Sequence, residues 1–126
     1  MEEWLGARAL ITMTVTESDT AIAVGSGELA VLGTPRLIAM CEAATVEATS
    51  ELMPVGKTSV GIMVAVEHLQ ASAVGRELVI EAKLESVKQR RLEFLVEARQ
   101  AEVVVLAGTV HRVVVDIDKF MNRLEL

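Results

Sequence analysis

The chain has 126 residues and a net charge of −6; 52% of it is hydrophobic but only 2% aromatic. This length is one domain, residues 1–126, on a prior of roughly 100–200 residues per domain. Neither the basic footprint nor the aromatic platform of a nucleic-acid binder is present, and the longest uncharged runs, Thr58–Val66 and Val103–His111, stop at nine residues, against about 20 for a membrane-spanning helix.

The start, Met1-Glu2-Glu3-Trp4, is acidic and lacks the basic region of a secretory signal. The single cysteine, Cys41, makes neither an internal disulfide nor a cysteine-based metal site. A cytoplasmic domain with an aliphatic core is expected, valine alone contributing 19 residues.

Ala7–Thr16 alternates and is rich in Thr, a strand pattern. Glu17-Ser18-Asp19 is a turn, and Ile22–Gly27 reads as a weak strand or extended piece. Thr34-Pro35 announces a helix, with Thr34 as N-cap and Pro35 in the first helical position. Leu37, Met40, Cys41, Ala44 and Ala48 form one apolar stripe. The helix runs to about Met53, where Pro54 and Gly56 close it, for a length of roughly 30 Å. Thr58–Gln70 places Val60, Ile62, Val64, Val66 and His68 on one strand face. Glu77–Val87 turns Leu78, Ile80, Ala82 and Leu84 inward, and after the turn Lys88-Gln89-Arg90-Arg91 the next strand turns Leu92, Phe94, Val96 and Ala98 inward. Val103–Val115 is almost continuously apolar, as expected of a strand buried on both faces. Asp116–Leu126 adds a short helix.

One long helix followed by four strands on mainly short turns describes an α+β domain. Its helix is wrapped by a curled antiparallel sheet, the hot-dog arrangement. The open edges of such a sheet need covering or pairing, so a homodimer or higher homo-oligomer is expected.

Three groups could carry chemistry. Glu42 has Ile38, Ala39, Thr45 and Val46 one turn away; a carboxylate in apolar surroundings is a candidate acid or base, and the bland alternative is a stripe-edge residue that reaches water. His68 ends the inward face of an aliphatic strand, where an imidazole is either a general base or a capped core residue. Thr34 is explained as an N-cap, yet a helix N-terminus can also hold a developing oxyanion. His111 and Cys41 read as structural. No ligand cluster at metal spacing and no phosphate loop occurs, so no metal and no cofactor is expected.

The stretch Gly27 to Glu42, followed in register by Ser59-Val60-Gly61, Val66-Glu67-His68 and Gly108-Thr109-Val110-His111-Arg112, resembles the fluoroacetyl-CoA thioesterase-like branch of hot-dog proteins. The resemblance covers about Glu17 to Phe120. It implies a homodimer that hydrolyses acyl-CoA thioesters without a metal, coenzyme A being part of the substrate. The family's catalytic Thr, Glu and His fall on Thr34, Glu42 and His68. A glycine that positions the thioester falls on Gly61, and an arginine near the site on Arg112. The aromatic lid of the fluoroacetyl-specific member has no counterpart in Ile22–Leu32, which implies a broader or different small acyl preference.

Two expectations concern geometry. If Thr34 caps a straight helix, Glu42 lies about 12 Å further along it, so either the helix begins later or the site draws on two subunits. The basic residues Lys88, Arg90 and Arg91 could meet the phosphates of CoA, or form a solvated turn. The alternative function is a non-catalytic hot-dog module that binds acyl-CoA or another small apolar ligand; an interaction domain and a dehydratase are weaker readings.

Overall fold

A computed structural model describes residues 1–124. In chain order the elements are β1 (Arg8–Thr14), α1 (Ala21–Val24), α2 (Thr34–Thr49), β2 (Lys57–His68), β3 (Glu77–Lys88), β4 (Arg91–Gln100), β5 (Val103–Asp116) and α3 (Ile117–Asn122). The strands form one antiparallel sheet in the order β1-β3-β4-β5-β2, with β1 and β2 at its edges. Helix α2 packs on the sheet mainly against β3 and β1 and only lightly against β2. None of the described helices is long and apolar enough to cross a membrane.

The core is the aliphatic one that the composition requires. Leu78, Ile80, Ala82 and Leu84 of β3 and Leu92, Phe94, Val96 and Ala98 of β4 are buried as the alternation predicts. They meet Leu37, Cys41 and Ala44 of α2, while Met40 and Ala48 of the expected stripe pack against the core from its margin. Thr45 and Thr49 are buried beside them. The Thr45 hydroxyl can enter apolar surroundings because it donates to the Glu42 carbonyl at 2.6 Å.

Four expectations are corrected. Ile22–Gly27 is not extended: Ala21–Val24 is one helical turn, capped by the Thr20 hydroxyl and ended by Gly25 at φ 76°. Helix α2 ends at Thr49, not near Met53, and its N-cap is Gly33, so Thr34 is the first helical residue and Pro35 the second. Strand β5 is not buried on both faces, since His111, Val113 and Val115 on its outer face are only half-buried.

The fourth correction concerns β2. Gly61 pairs with Arg112, but Met63 pairs with His111, so Ile62 is an extra, bulged residue. A bulge resets which residues face inward. Ser59 and Gly61 share the inner face with Val64, Val66 and His68, opposite the inward-facing Val114, Arg112, Val110, Gly108 and Leu106. Val60 lies on the outer face with its partner Val113. The simple alternation Val60-Ile62-Val64-Val66-His68 therefore breaks at Ile62. The C-terminal helix expected over Asp116–Leu126 is present at Ile117–Asn122, capped by Asp116; the last two residues of that range lie outside the described residues.

Candidate active site

The inner face of β2 meets α2 at two places. The first is at the start of the helix. Because Gly33 serves as N-cap, the Thr34 side chain is not used on its own helix. It faces the end of β2, where Thr34 Oγ1 and His68 Nδ1 are 2.7 Å apart. The other ring nitrogen of His68, Nε2, is buried and has no hydrogen-bond partner among the described residues. Burial is what lowers the His68 pKa. The ring is therefore neutral near pH 7 and can accept a proton. Thr34 and His68 lie on the wall of a cleft of about 280 Å³, whose other sides include Ala21, Val31, Leu32 and Leu69.

The second place is one helical stretch further on. Glu42 is not enclosed by apolar groups but reaches water, as the alternative reading of its position has it. Its side chain is 38% exposed, and its Oε2 lies 3.6 Å from an NH of Arg112. Gly61 forms the gap between them and the sheet, since a Cβ there would stand 2.7 Å from Glu42 Oε2 and 3.4 Å from the Arg112 NH. Arg112 is 8% exposed. Its Nε donates to Ser59 Oγ at 2.8 Å and its second NH to the Ser59 carbonyl at 3.0 Å. Burial lowers the Arg112 pKa, opposed by the charge of Glu42.

Thr34 and His68 thus form one group, and Glu42, Gly61 and Arg112 another. The helix begins at Thr34 itself, so the two groups stay about 12 Å apart along α2 within one protomer. The explanation in which the helix starts later is excluded.

The basic residues lie elsewhere. Lys88 pairs with Arg91 at the tip of the β3–β4 hairpin. Arg91 is on the outer face, its guanidinium 2.6 Å from His111 Nδ1 and 3.9 Å from Glu93. Arg90 borders an outer-face groove with Val60, Val113 and Phe120. Arg91 pairs with Val113, and His68 with Leu106, so the hairpin tip is about 23 Å along β5 from His68. Cys41 is fully buried in the core, its thiol pushed up to about 12 by burial and by the charge of Glu42; it is inert, as the sequence suggested.

Two contributors carried no recognisable signal in the sequence. Ser59 stands in a quoted motif but shows its use only through Arg112. Asp19, read as part of a turn, accepts from Arg36 Nε at 2.8 Å and from the Thr16 amide at 2.8 Å, and its carbonyl accepts from Gly33 N at 2.9 Å. It ties the segment over the cleft to the start of α2.

Residues 15–118 match the family described as fluoroacetyl-CoA-specific thioesterase. The chain belongs to that family. It is 31% identical over 90 residues to a fluoroacetyl-CoA thioesterase of Streptantibioticus cattleyicolor, an alignment that takes in 71% of this chain and 65% of the relative's length. Among solved structures, a variant of the fluoroacetyl-CoA-specific thioesterase in complex with fluoroacetate and CoA superposes with a TM-score of 0.86 at 26% identity, covering 92% of this chain and 98% of that one. A hot-dog-like protein from Thermanaerovibrio acidaminovorans superposes with a TM-score of 0.90 at 24% identity, covering 98% and 93%. The hot-dog architecture expected from the order of elements is the observed one, and the protein is a member of a thioesterase family on that fold.

Proposed function

We propose that the protein is an acyl-CoA thioesterase, that it works as a homodimer, and that it hydrolyses a small acyl-CoA without specificity for fluoroacetyl. The observation that carries the reading is the 2.7 Å contact between Thr34 Oγ1 and His68 Nδ1 on the wall of the cleft. A hydroxyl bonded to a neutral imidazole is an activated nucleophile. The segment over the cleft contributes Ala21, Ser26 and Val31 and no aromatic ring, which supports a site not specific for fluoroacetyl-CoA.

In this reading the second group reaches the first across a dimer. Residues Ile62, Met63 and Val64 on the edge strand are 47%, 40% and 36% exposed, an apolar edge of the kind that pairs. The register we propose pairs two β2 edges antiparallel about an axis near Ala65, so that Val64 stands opposite the partner's Val66. The bulge at Ile62 then brings the partner's Gly61, with the partner's Glu42, against His68.

The chemistry follows from these placements. His68 Nδ1 takes the Thr34 proton as Oγ1 attacks the thioester carbon. The first turn of α2, whose N–H groups have no partner within the helix, faces the oxyanion. The carbon–sulfur bond breaks, and the CoA thiolate leaves with the proton from His68. Water then attacks the Thr34 ester, its proton passing to the partner's Glu42 and finally to the Thr34 oxygen as the acid departs. Lys88 and Arg90 stand at the hairpin tip, about 23 Å along β5 from His68, so within one protomer they form a solvated turn outside this site. Arg91 is committed to His111.

Thiol release from short, branched and aromatic acyl-CoAs tests the reading. Release is expected for at least one small acyl-CoA, and Thr34→Ala, His68→Ala and Glu42→Gln should each lower kcat by about 10²–10⁴-fold, the usual worth of such groups. Binding of acyl-CoA with no release across the panel would replace this reading with the non-catalytic binding module.

A further inference from the structure

We propose that Ser59 is a positioning residue: it holds Arg112 so that the guanidinium supports Glu42 without closing on it. The inference deepens the thioesterase reading and rests on it for its functional consequence. Ser59 and Arg112 are 7% and 8% exposed. A buried guanidinium is costly unless its N–H groups are bonded. Ser59 supplies two acceptors to one edge of that fork, its hydroxyl to Nε at 2.8 Å and its carbonyl to one terminal nitrogen at 3.0 Å. Two contacts on one edge fix the rotation of the plane. The other terminal nitrogen is left facing Glu42 at 3.6 Å.

That distance is longer than a charge-assisted hydrogen bond, about 2.7–2.9 Å. Glu42 therefore has a cation beside it while its carboxylate, 38% exposed, stays free to receive a proton from water. Gly61 puts no side chain between the two. The register places the clamp: Ser59 pairs with Val114 and Gly61 with Arg112, so Ser59 is one inward step along β2 from the gap it serves. The Ser59 carbonyl is backbone and survives substitution. The hydroxyl is the removable half of the clamp.

Ser59→Ala should release Arg112 Nε and let the guanidinium swing onto Glu42. The expected result is a fall in kcat of about tenfold, the worth of one hydrogen bond to a charged group, with KM changed less than twofold. Ser59→Thr keeps the hydroxyl and should restore kcat to within about threefold of wild type. In a Glu42→Gln background, Ser59→Ala should cost nothing further, because its effect passes through that carboxylate. A nitrogen-15 spectrum reads the clamp without activity: the Arg112 Nε–H should be protected from solvent exchange in wild type and Ser59→Thr, and exposed in Ser59→Ala. Wild-type kcat together with a protected Nε–H in Ser59→Ala overturns the inference. Absence of thiol release from the wild-type protein overturns the thioesterase reading, while the Nε–H measurement still decides whether Ser59 holds Arg112.

Discussion

Gly61 on β2 pairs with Arg112 and Gly108 on β5 with Val66, and a methyl group would meet different things at each. At Gly61 the nearest obstacle is the end of the flexible Glu42 side chain. At Gly108 it is backbone, with Ala65 O at 2.1 Å and Val66 Cα at 2.6 Å. Gly61→Ala should fold normally but displace Glu42, lowering kcat at least tenfold. Gly108→Ala should force β2 and β5 apart and cost about 1–3 kcal/mol or more. Denaturation midpoints and thiol release, measured on both variants, check the contrast. His68 gives a pH prediction. Its lowered pKa means that between the ordinary value of 6.5 and the folded value, the unfolded chain binds a proton that the folded chain does not. Stability from this site is thus complete above 6.5 and is lost as pH falls toward the folded value. The acid limb of kcat/KM should correspondingly lie below 6.5. Denaturant titrations between pH 7 and pH 5 should show a steeper loss for wild type than for His68→Asn, which lacks the titrating group.

At the scale of elements, small shifts decide the site. Thr-Pro marked the start of α2 to within one residue, but that one residue frees the Thr34 hydroxyl from capping and turns it to His68. The bulge at Ile62 was not legible, because a run of Val, Ile and Ala alternates acceptably in either register. Only the pairing of β2 with β5 sets it. The segment from Glu17 to Gly33 has weak periodicity and is placed by polar ties instead. Burial pushes the Asp19 pKa up, but hydrogen bonds from Arg36 and Thr16 outweigh it and leave the carboxyl below its usual range. Its stabilising ties are therefore complete above the ordinary carboxylate range and are lost as pH falls through the lowered value. Asp19→Asn should cost about 1–2 kcal/mol, less than a fully buried charged bond because Arg36 is 39% exposed. It should also speed exchange of the Gly33 amide, whose acceptor is the Asp19 carbonyl. Unfolding measurements at pH 7 and amide exchange test both effects.

At the scale of the molecule, the edge strand β2 carries both the apolar surface that pairing would cover and the inner-face residues that a second copy would bring to the cleft. A site shared between copies makes a numerical prediction. When His68→Ala and Glu42→Gln are unfolded together and refolded at equal amounts, half of the dimers are mixed, and each mixed dimer holds one intact site of two. About a quarter of wild-type activity should return, as two-fold symmetry requires. If each protomer holds a whole site, the mixture stays as inactive as its parts.

Much of the fold was open to reading from the sequence, because burial in a sheet and along a helix imposes periods of 2 and 3.6 that valine-rich strands and the Leu37–Ala44 stripe display directly. The identity of the candidate groups was open too, since a Thr, a Glu and a His in spaced motifs stand out in an aliphatic chain. Their grouping was not. Whether Glu42 meets apolar neighbours or Arg112 depends on the helix phase against a strand that is adjacent in space and far away in sequence. Which residues of β2 face inward depends on one bulge, and the use of Ser59 depends on where a guanidinium from another strand comes to rest. Local periodicity is a property of the chain, whereas these contacts are set by register and packing between distant segments, and only the tertiary structure decides them.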